Sequence, residues 1–224
     1  MKSILKKITR KIAPFTYLNP QGDRGIAKMG HRGYIGGMWE EIGRLQFDFL
    51  LSKGLNPNSF LLDIACGSLR LGAKAIPYLD CGHYLAIEKE SGLVKAGLEK
   101  ELDPKIIIEK QPNIVISDSF EFEKLMQKTD FAIAQSLFTH LPFSIIDQCF
   151  KKLYPWLKNE SVFYATFFET EKKISNPKKP HDHRNFFYTK TEMCDFGTKN
   201  GFKFNYIGDW NHPRNQVIVE YRKS

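Results

Sequence analysis

The stretch FLLDIACGSLRLGAKAI, residues 60–76, decides how this chain folds. An apolar run reaches Asp63, a turn of small residues follows, and the stretch ends in a segment of helical composition. This order predicts a buried strand, a tight turn and a helix that begins near Leu69. The free N–H groups and the positive end of such a helix would favour a polar or anionic ligand at the turn.

The alternation of strand and helix continues along the chain. Apolar runs predict seven strands, at residues 60–65, 84–87, 114–116, 131–134, 162–168, 202–207 and 217–221. Segments of helical length separate the first five strands, at residues 69–79, 90–102, 120–127 and 143–157. Further helices are predicted from Met38 to Gly54 and near residues 191–199, whereas the glycine-rich residues 30–37 show no period. This order predicts an α/β fold with a parallel sheet covered on both faces and an antiparallel pair at its end.

The net charge of +8 is concentrated at one end of the 224-residue chain. Residues 1–14 carry five basic and no acidic side chains, and the remainder has 28 basic against 25 acidic residues. A broad nucleic-acid-binding face is therefore not expected. Ile4, Leu5, Ile8 and Ile12 fall on one helical side, which is typical of a helix that contacts a membrane surface or a partner, or simply packs. The chain has neither a membrane-spanning run nor a secretory core, so a cytoplasmic protein is predicted.

The spacing in the first turn distinguishes between two kinds of nucleotide ligand. The dinucleotide fingerprint requires glycine at its first, third and sixth positions, which here are Ala65, Gly67 and Arg70. A nucleoside therefore fits better than a dinucleotide. Glu88 follows the second strand, 25 positions after Asp63, where a carboxylate can accept hydrogen bonds from ribose hydroxyls.

Polar residues also end the next two strands. Asp118 is placed to bind an adenine amino group, and Gln135 with Ser136 would flank the reacting end of the ligand. Because the carboxyl ends of parallel strands share one edge of a sheet, these side chains should converge on one crevice.

Four segments, LLDIACGS (61–68), LAIEKE (85–90), VISDSF (115–120) and DFAIAQSLFTHLP (130–142), resemble consecutive motifs of class I S-adenosylmethionine-dependent methyltransferases. The resemblance implies a Rossmann-like, doubly wound sheet of seven strands in the order 3-2-1-4-5-7-6, with the last strand antiparallel. It also implies an enzyme whose cofactor is S-adenosylmethionine, with a basic extension at residues 1–32 and a methyltransferase domain at residues 33–224.

The resemblance further implies roles for single residues. Glu88 would bind the ribose, Asp118 and Ser119 the adenine, and the first turn would hold the methionine part through Asp63, Ala65, Cys66, Gly67 and Ser68. Arg70 either pairs with the methionine carboxylate or is a solvated or salt-bridged helix residue. Family members commonly have glycine at the positions of Ala65 and Leu69. Alanine fits if its φ is ordinary, whereas Leu69 closes any geometry that only glycine adopts.

The acceptor is predicted to be a small molecule, a sugar or a lipid-linked glycan that is methylated on oxygen. His140 is the candidate catalytic base, because an imidazole titrates near neutral pH; it could instead hydrogen-bond the turn before Pro142. The candidate acceptor-binding residues are Tyr34, Arg184, His212 and Arg214. Lysines of the insertion 169–187 could meet an anionic acceptor, or form a solvated loop. No cluster completes a metal site around the HDH sequence at residues 181–183, and no metal is predicted.

Two other functions fit the same residues. An RNA methyltransferase could dock through the basic tail, and a non-catalytic module could bind a nucleoside without transferring a methyl group. Because Ala65 and Leu69 stand where family members commonly have glycine, the non-catalytic module stays open.

Overall fold

A computed structural model describes residues 20–223 of the chain. The basic segment 1–14 and its predicted contact with a membrane surface or a partner lie outside the described residues. Within the described part, no helix combines the length and the apolar character that crossing a membrane requires.

A single twisted sheet forms the centre of the described chain. Its strands are β1 Leu61–Ile64, β2 Tyr84–Glu88, β3 Asn113–Ile116, β4 Thr129–Ala134, β5 Leu157–Glu169, β6 Phe187–Tyr188, β7 Phe202–Asp209 and β8 Val217–Lys223. The spatial order is β3-β2-β1-β4-β5-β8-β7, and β6 pairs with the end of β5. Strands β1 to β5 are parallel, while β8 is antiparallel to both β5 and β7.

This topology confirms the predicted fold and strand order. The predicted sixth and seventh strands are β7 and β8, because the structure adds β6 before them. Two residues are too few to show a strand period in the sequence, so β6 was not predictable from alternation. Its pairing with the end of β5 places the insertion beside the carboxyl end of the sheet.

Helices cover both faces of the sheet. They are α1 Gly22–Met29, α2 His31–Tyr34, α3 Trp39–Ser52, α4 Gly72–Tyr78, α5 Ser91–Glu101, α6 Pro104–Lys110, α7 Phe143–Leu153 and α8 Lys190–Thr198. Every residue of β1 and β2 is buried, as expected for central parallel strands. In β1, Leu62 packs in the core that contains α7 and α8, whereas its neighbour Leu61 packs in the core that contains α3 and α4.

One predicted helix is absent, and another begins later than predicted. Residues 120–127 were predicted to be a helix but form only a short 3-10 turn at Phe122–Lys124. Phe120 has φ of +56°, which a right-handed helix excludes, and the fully buried Phe122 anchors the segment as a loop. The predicted helix 69–79 begins only at Gly72, because Leu69 also has a positive φ of +65°.

The segment 30–37 contains the helical turn α2, although its sequence shows no helical period. Both α1 and α2 contact α5, and Tyr34 at the end of α2 is only 8% exposed. Residues 22–34 therefore pack on the body of the fold, while the division of the chain at residue 33 stays a prediction.

Candidate active site

The turn after β1 is built from three residues in the left-handed region. Ala65, Gly67 and Leu69 have φ of +61°, +57° and +65°. Ala65 thus lacks the ordinary φ on which its fit in the turn was conditional, and Leu69 adopts the geometry that its side chain was expected to exclude. Leu69 tolerates this because its side chain is fully buried in the apolar core. The turn is held by the N–H groups of Ala65 and Cys66, which donate to the Ile87 carbonyl.

The ends of four adjacent strands open into one cavity of about 910 Å³. Asp63 from β1, Glu88 from β2, Asp118 after β3 and Gln135 after β4 all line it. Further lining residues that the sequence singled out are Ala65, Cys66, Gly67, Arg70, Ser136, Tyr34, His140 and Arg214. The volume lies within the range of about 300–1,000 Å³ that is typical of ligand sites.

Asp63 is a buried carboxyl group at the floor of the cavity. It is 3% exposed, and its Oδ2 accepts a hydrogen bond of 2.7 Å from the Tyr84 hydroxyl. Burial raises the pKa of Asp63 to about 7, the Tyr84 hydrogen bond and the charge of Arg70 oppose the increase, and the charge of Glu88 adds to it. The ionised form of Asp63 is thus costly in the free protein.

Glu88 has its carboxylate oriented by backbone donors. Its Oε2 accepts from Gly67 N–H, and its Oε1 accepts from the N–H groups of Lys89 and Glu90, each at 2.9 Å. Burial raises the pKa of Glu88, and these three donors act against that increase. The contact to Gly67 ties the first turn to the end of β2.

The segment after β3 presents different side chains from those predicted. Asp118 lines the cavity, but Ser119 does not, and its neighbours Ser117 and Phe120 do. The Ser119 backbone N–H donates to Ser117 Oγ, and its carbonyl accepts from Lys152.

In the first turn, Ser68 also lies outside the lining. Its side chain is fully buried, with Oγ at 3.5 Å from the carbonyl of His31 in α2.

Gln135 and Ser136 at the end of β4 belong to a buried polar network. Gln135 Oε1 accepts a hydrogen bond of 2.7 Å from Arg70, and its Nε2 donates to Ser136 Oγ at 2.6 Å. Ser136 Oγ also contacts Gln216, a cavity residue that the sequence analysis missed. Gln216 immediately precedes β8 and belongs to no sequence motif; the antiparallel pairing of β8 with β5 brings it close to Ser136 after β4.

His212 supports this network from outside the cavity lining. It is 4% exposed, and its Nε2 lies 3.0 Å from Gln135 Nε2. Burial, with the charges of Arg70 and Arg214, lowers the pKa of His212 to about 4. His212 is therefore neutral near pH 7.

His140 lines the cavity one turn after β4. Its Nδ1 lies 2.9 Å from the carbonyl oxygen of Arg184, and since a carbonyl only accepts, Nδ1 carries the proton. Burial lowers the pKa of His140, so the ring is neutral near pH 7 with its lone pair on Nε2. The predicted acceptor-binding residue Arg184 does not line the cavity; its carbonyl orients His140 instead.

Two arginines hold the glycine-rich segment over the cavity. Arg70 donates to the Gly37 carbonyl at 3.0 Å, and Arg214 donates to the Gly36 carbonyl. Arg70 is 7% exposed, and its Nε has no hydrogen-bond partner. Burial and the charge of Arg214 lower the pKa of Arg70 to about 10, which still leaves it charged at neutral pH.

The insertion after β5 closes another side of the cavity through Asp182, which the sequence analysis missed as a site residue. Asp182 accepts hydrogen bonds from the Tyr34 hydroxyl and, at 2.6 Å, from Lys89 Nζ. Asp182 is the central residue of the HDH sequence, which was considered only as a candidate metal site because of the spacing of its two histidines. Among the described residues, no group of three or more His, Cys, Asp or Glu side chains is placed to hold a metal ion.

The fold of this chain is similar to the folds of solved methyltransferase structures. No protein-family model matches the chain, and no curated protein has significant sequence similarity to it. Solved structures do match over most of its length. The magnesium protoporphyrin IX methyltransferase of Synechocystis PCC 6803 with bound S-adenosylhomocysteine has a TM-score of 0.64 at 16% identity, covering 98% of this chain and 99% of that one.

An amino pentose methyltransferase from Micromonospora echinaspora, CalS10, bound to S-adenosylmethionine, has a TM-score of 0.61 at 13% identity. The alignment covers 89% of this chain and 97% of that one. This chain has the class I methyltransferase fold. In that fold, the cavity of this protein occupies the carboxyl edge of the sheet, at the point where strand order reverses between β1 and β4.

Proposed function

We propose that this chain is an S-adenosylmethionine-dependent methyltransferase that methylates an oxygen of a small-molecule, sugar or lipid-linked glycan acceptor. One observation carries the proposal: Asp63, Glu88, Asp118 and Gln135, from four adjacent strand ends, line a single cavity. The two similar structures that contain S-adenosylmethionine or S-adenosylhomocysteine support the choice of cofactor.

The residues in the cavity fit that cofactor. The buried carboxyl group of Asp63 complements a positive charge such as the ammonium group of the cofactor. Glu88 uses three backbone donors for orientation, and a carboxylate offers about four acceptor positions, which leaves one for a ribose hydroxyl. Asp118 would accept from the adenine amino group. When bound, the cofactor supplies an electrophilic methyl group.

His140 is suited to remove a proton from an acceptor hydroxyl. The hydrogen bond from Nδ1 to the Arg184 carbonyl fixes the tautomer, and the lowered pKa keeps Nε2 unprotonated at neutral pH. Gln135 and Ser136 would position the reacting groups, because the network with Gln216 restricts both side chains. An acceptor carboxylate would need no base, so the contribution of His140 also reports on the acceptor.

Glu88→Gln tests the cofactor assignment. We expect it to weaken S-adenosylmethionine and S-adenosylhomocysteine to the same extent, by about tenfold or more, because a charge-assisted bond to a group common to both is lost. Isothermal calorimetry measures both affinities. The control is Glu40→Gln, which removes an exposed carboxylate paired with Lys74. Failure of the unmodified protein to bind either ligand would exclude the proposed function.

His140→Gln tests the catalytic base. We expect turnover to fall by about 10²–10⁴-fold while S-adenosylhomocysteine affinity stays unchanged. Since the pKa of His140 is lowered, the basic form persists to below pH 6.5, and kcat/KM should decline only under that value. Unchanged turnover in the variant would remove His140 from the mechanism.

The acceptor for this assay comes from a screen of sugar, carboxylate and phosphate metabolites for the mass gain of one methyl group. Cofactor binding without transfer to any acceptor would favour the non-catalytic module. Transfer to RNA, with affinity that falls steeply as salt concentration rises, would favour the RNA methyltransferase.

A further inference from the structure

The cavity contains two guanidinium groups that form no salt bridge, although the nearby charge of Asp63 acts on Arg70. Among the described residues, Arg70 and Arg214 form no ion pair, and each donates instead to a backbone carbonyl of the glycine-rich segment. Arg70 Nε has no partner at all, although the side chain is more than nine-tenths buried. The third lining cation with a long side chain, Lys89, is already neutralised by Asp182 and Glu90.

A buried guanidinium without a salt-bridge partner is energetically costly. Removing a charge from water is compensated only by an opposite charge and by hydrogen bonds to its donors. Arg70 uses two of its N–H groups, on Gly37 and Gln135, out of the five that a guanidinium carries. Burial lowers the pKa of Arg70, repulsion by the charge of Arg214 lowers it further, and the charge of Asp63 acts in the opposite direction. A shared anion would remove both penalties.

We propose that Arg70 and Arg214 together bind an oxyanion of the methyl acceptor, either a carboxylate or a phosphate. This inference rests on the proposed function. The planar guanidinium presents paired N–H donors that match either group. The enzyme would therefore select anionic acceptors through these two side chains. The insertion lysines, which the sequence analysis associated with an anionic acceptor, are exposed and do not line the cavity.

The position of Arg214 favours the acceptor over the methionine carboxylate of the cofactor. The first turn, residues 63–68, is the segment predicted to hold the methionine part, whereas Arg214 lies in the β7–β8 segment. Arg70 comes just after the first turn, but its side chain reaches Gln135 after β4, which would flank the reacting end of the cofactor. The proposal therefore gives Arg70 a partner other than the predicted methionine carboxylate.

Anion binding to the protein saturated with S-adenosylhomocysteine tests the proposal. The probes are inorganic phosphate and benzoate, titrated by calorimetry in a chloride buffer. We expect one of them to bind, and Arg214→Gln to weaken it at least tenfold with the S-adenosylhomocysteine affinity unchanged. Lys172→Gln is the control, because it removes one exposed positive charge outside the cavity.

A competition experiment distinguishes the two sources of an oxyanion. 5′-Methylthioadenosine lacks the amino-acid part of S-adenosylhomocysteine. If the probe competes with S-adenosylhomocysteine but not with methylthioadenosine, the arginines bind the cofactor carboxylate and the proposal is overturned. It is also overturned if neither probe binds, or if Arg214→Gln binds the probe as the unmodified protein does.

The outcome separates this proposal from the proposed function. A protein that binds no S-adenosylhomocysteine contradicts the methyltransferase assignment, and the probes are then titrated against the free protein. If the free protein still binds a probe and Arg214→Gln abolishes that binding, the two arginines form an anion site that does not depend on the cofactor. If the free protein binds neither probe, the proposed anion site is overturned as well.

Discussion

At the scale of single residues, the cavity is defined by ionisable groups held away from water. Asp63 and Glu88 are each at most 5% exposed, and burial raises the pKa of both. Arg70 is nearly as buried, and burial lowers its pKa. Charges that are costly in the free protein become favourable when a ligand of opposite charge arrives. The same side chains therefore lower stability and provide binding.

Asp63→Asn tests whether a side chain that favours ligand binding also lowers the stability of the free protein. The pKa of Asp63 is about 7 in the folded protein and about 3.9 when unfolded. The folded state thus holds the proton more tightly, and the free energy of unfolding falls as pH rises from about 4 to 7. Asparagine does not ionise, so the variant without cofactor should be more stable than the unmodified protein at pH 8, by about 2–4 kcal/mol.

Urea denaturation at pH 5 and pH 8 measures this difference, which should shrink at the lower pH. Calorimetry at pH 8 should show weaker S-adenosylmethionine binding by the same variant, since a negative charge facing a cationic ligand is lost. A variant that is less stable at pH 8 would contradict the assignment of Asp63 as a strained carboxylate.

At the scale of elements, the turn after β1 combines a strained backbone with a packed side chain. Ala65 and Leu69 share nearly the same positive φ, but only Leu69 is fully buried in the core. An L-residue in this region costs roughly 1–2 kcal/mol relative to a right-handed conformation, and glycine avoids that cost. Backbone strain and side-chain burial therefore make opposite demands on the residue at position 69.

The variants Ala65→Gly and Leu69→Gly separate the effect of backbone strain from the effect of side-chain burial. We expect Ala65→Gly to raise the free energy of unfolding by about 0.5–1 kcal/mol, because relief of strain exceeds the added entropy of glycine. Leu69→Gly should lower it by about 2–4 kcal/mol, because the cavity in the core outweighs the same relief. Thermal and urea denaturation measure both. Destabilisation by Ala65→Gly would show that the turn is not strained at that residue.

At the scale of the whole molecule, three distant segments close the cavity. Tyr34 belongs to α2, Lys89 follows β2, and Asp182 belongs to the insertion after β5. The Tyr34 hydroxyl also accepts from the Gly22 N–H at 2.7 Å, which adds the start of α1. We expect these contacts to slow the release of a ligand from the cavity.

Tyr34→Phe tests this closure, because it removes the hydroxyl and retains the ring. We expect S-adenosylhomocysteine to dissociate several-fold faster, as measured by stopped-flow fluorescence. The matched control is Tyr78→Phe, whose hydroxyl donates to the Leu55 carbonyl away from the cavity. Tyr34→Phe loses two hydrogen bonds and Tyr78→Phe loses one, each of about 1 kcal/mol. Equal dissociation rates in the two variants would argue against a closing role for Tyr34.

The sequence by itself determined the parallel strands and the convergence of Asp63, Glu88, Asp118 and Gln135, because strand period and the right-handed crossover predict which strand ends share an edge of the sheet. The order of the strands followed from the resemblance of four segments to class I methyltransferases. Only the tertiary structure decided the positive φ of Ala65 and the partners of the cavity's charged groups. Arg214 meets Gly36 across 178 residues of chain, and Asp182 meets Tyr34 across 148. Such contacts cannot be predicted from hydrophobic periodicity, because they join loops that come together only when the helices and strands pack.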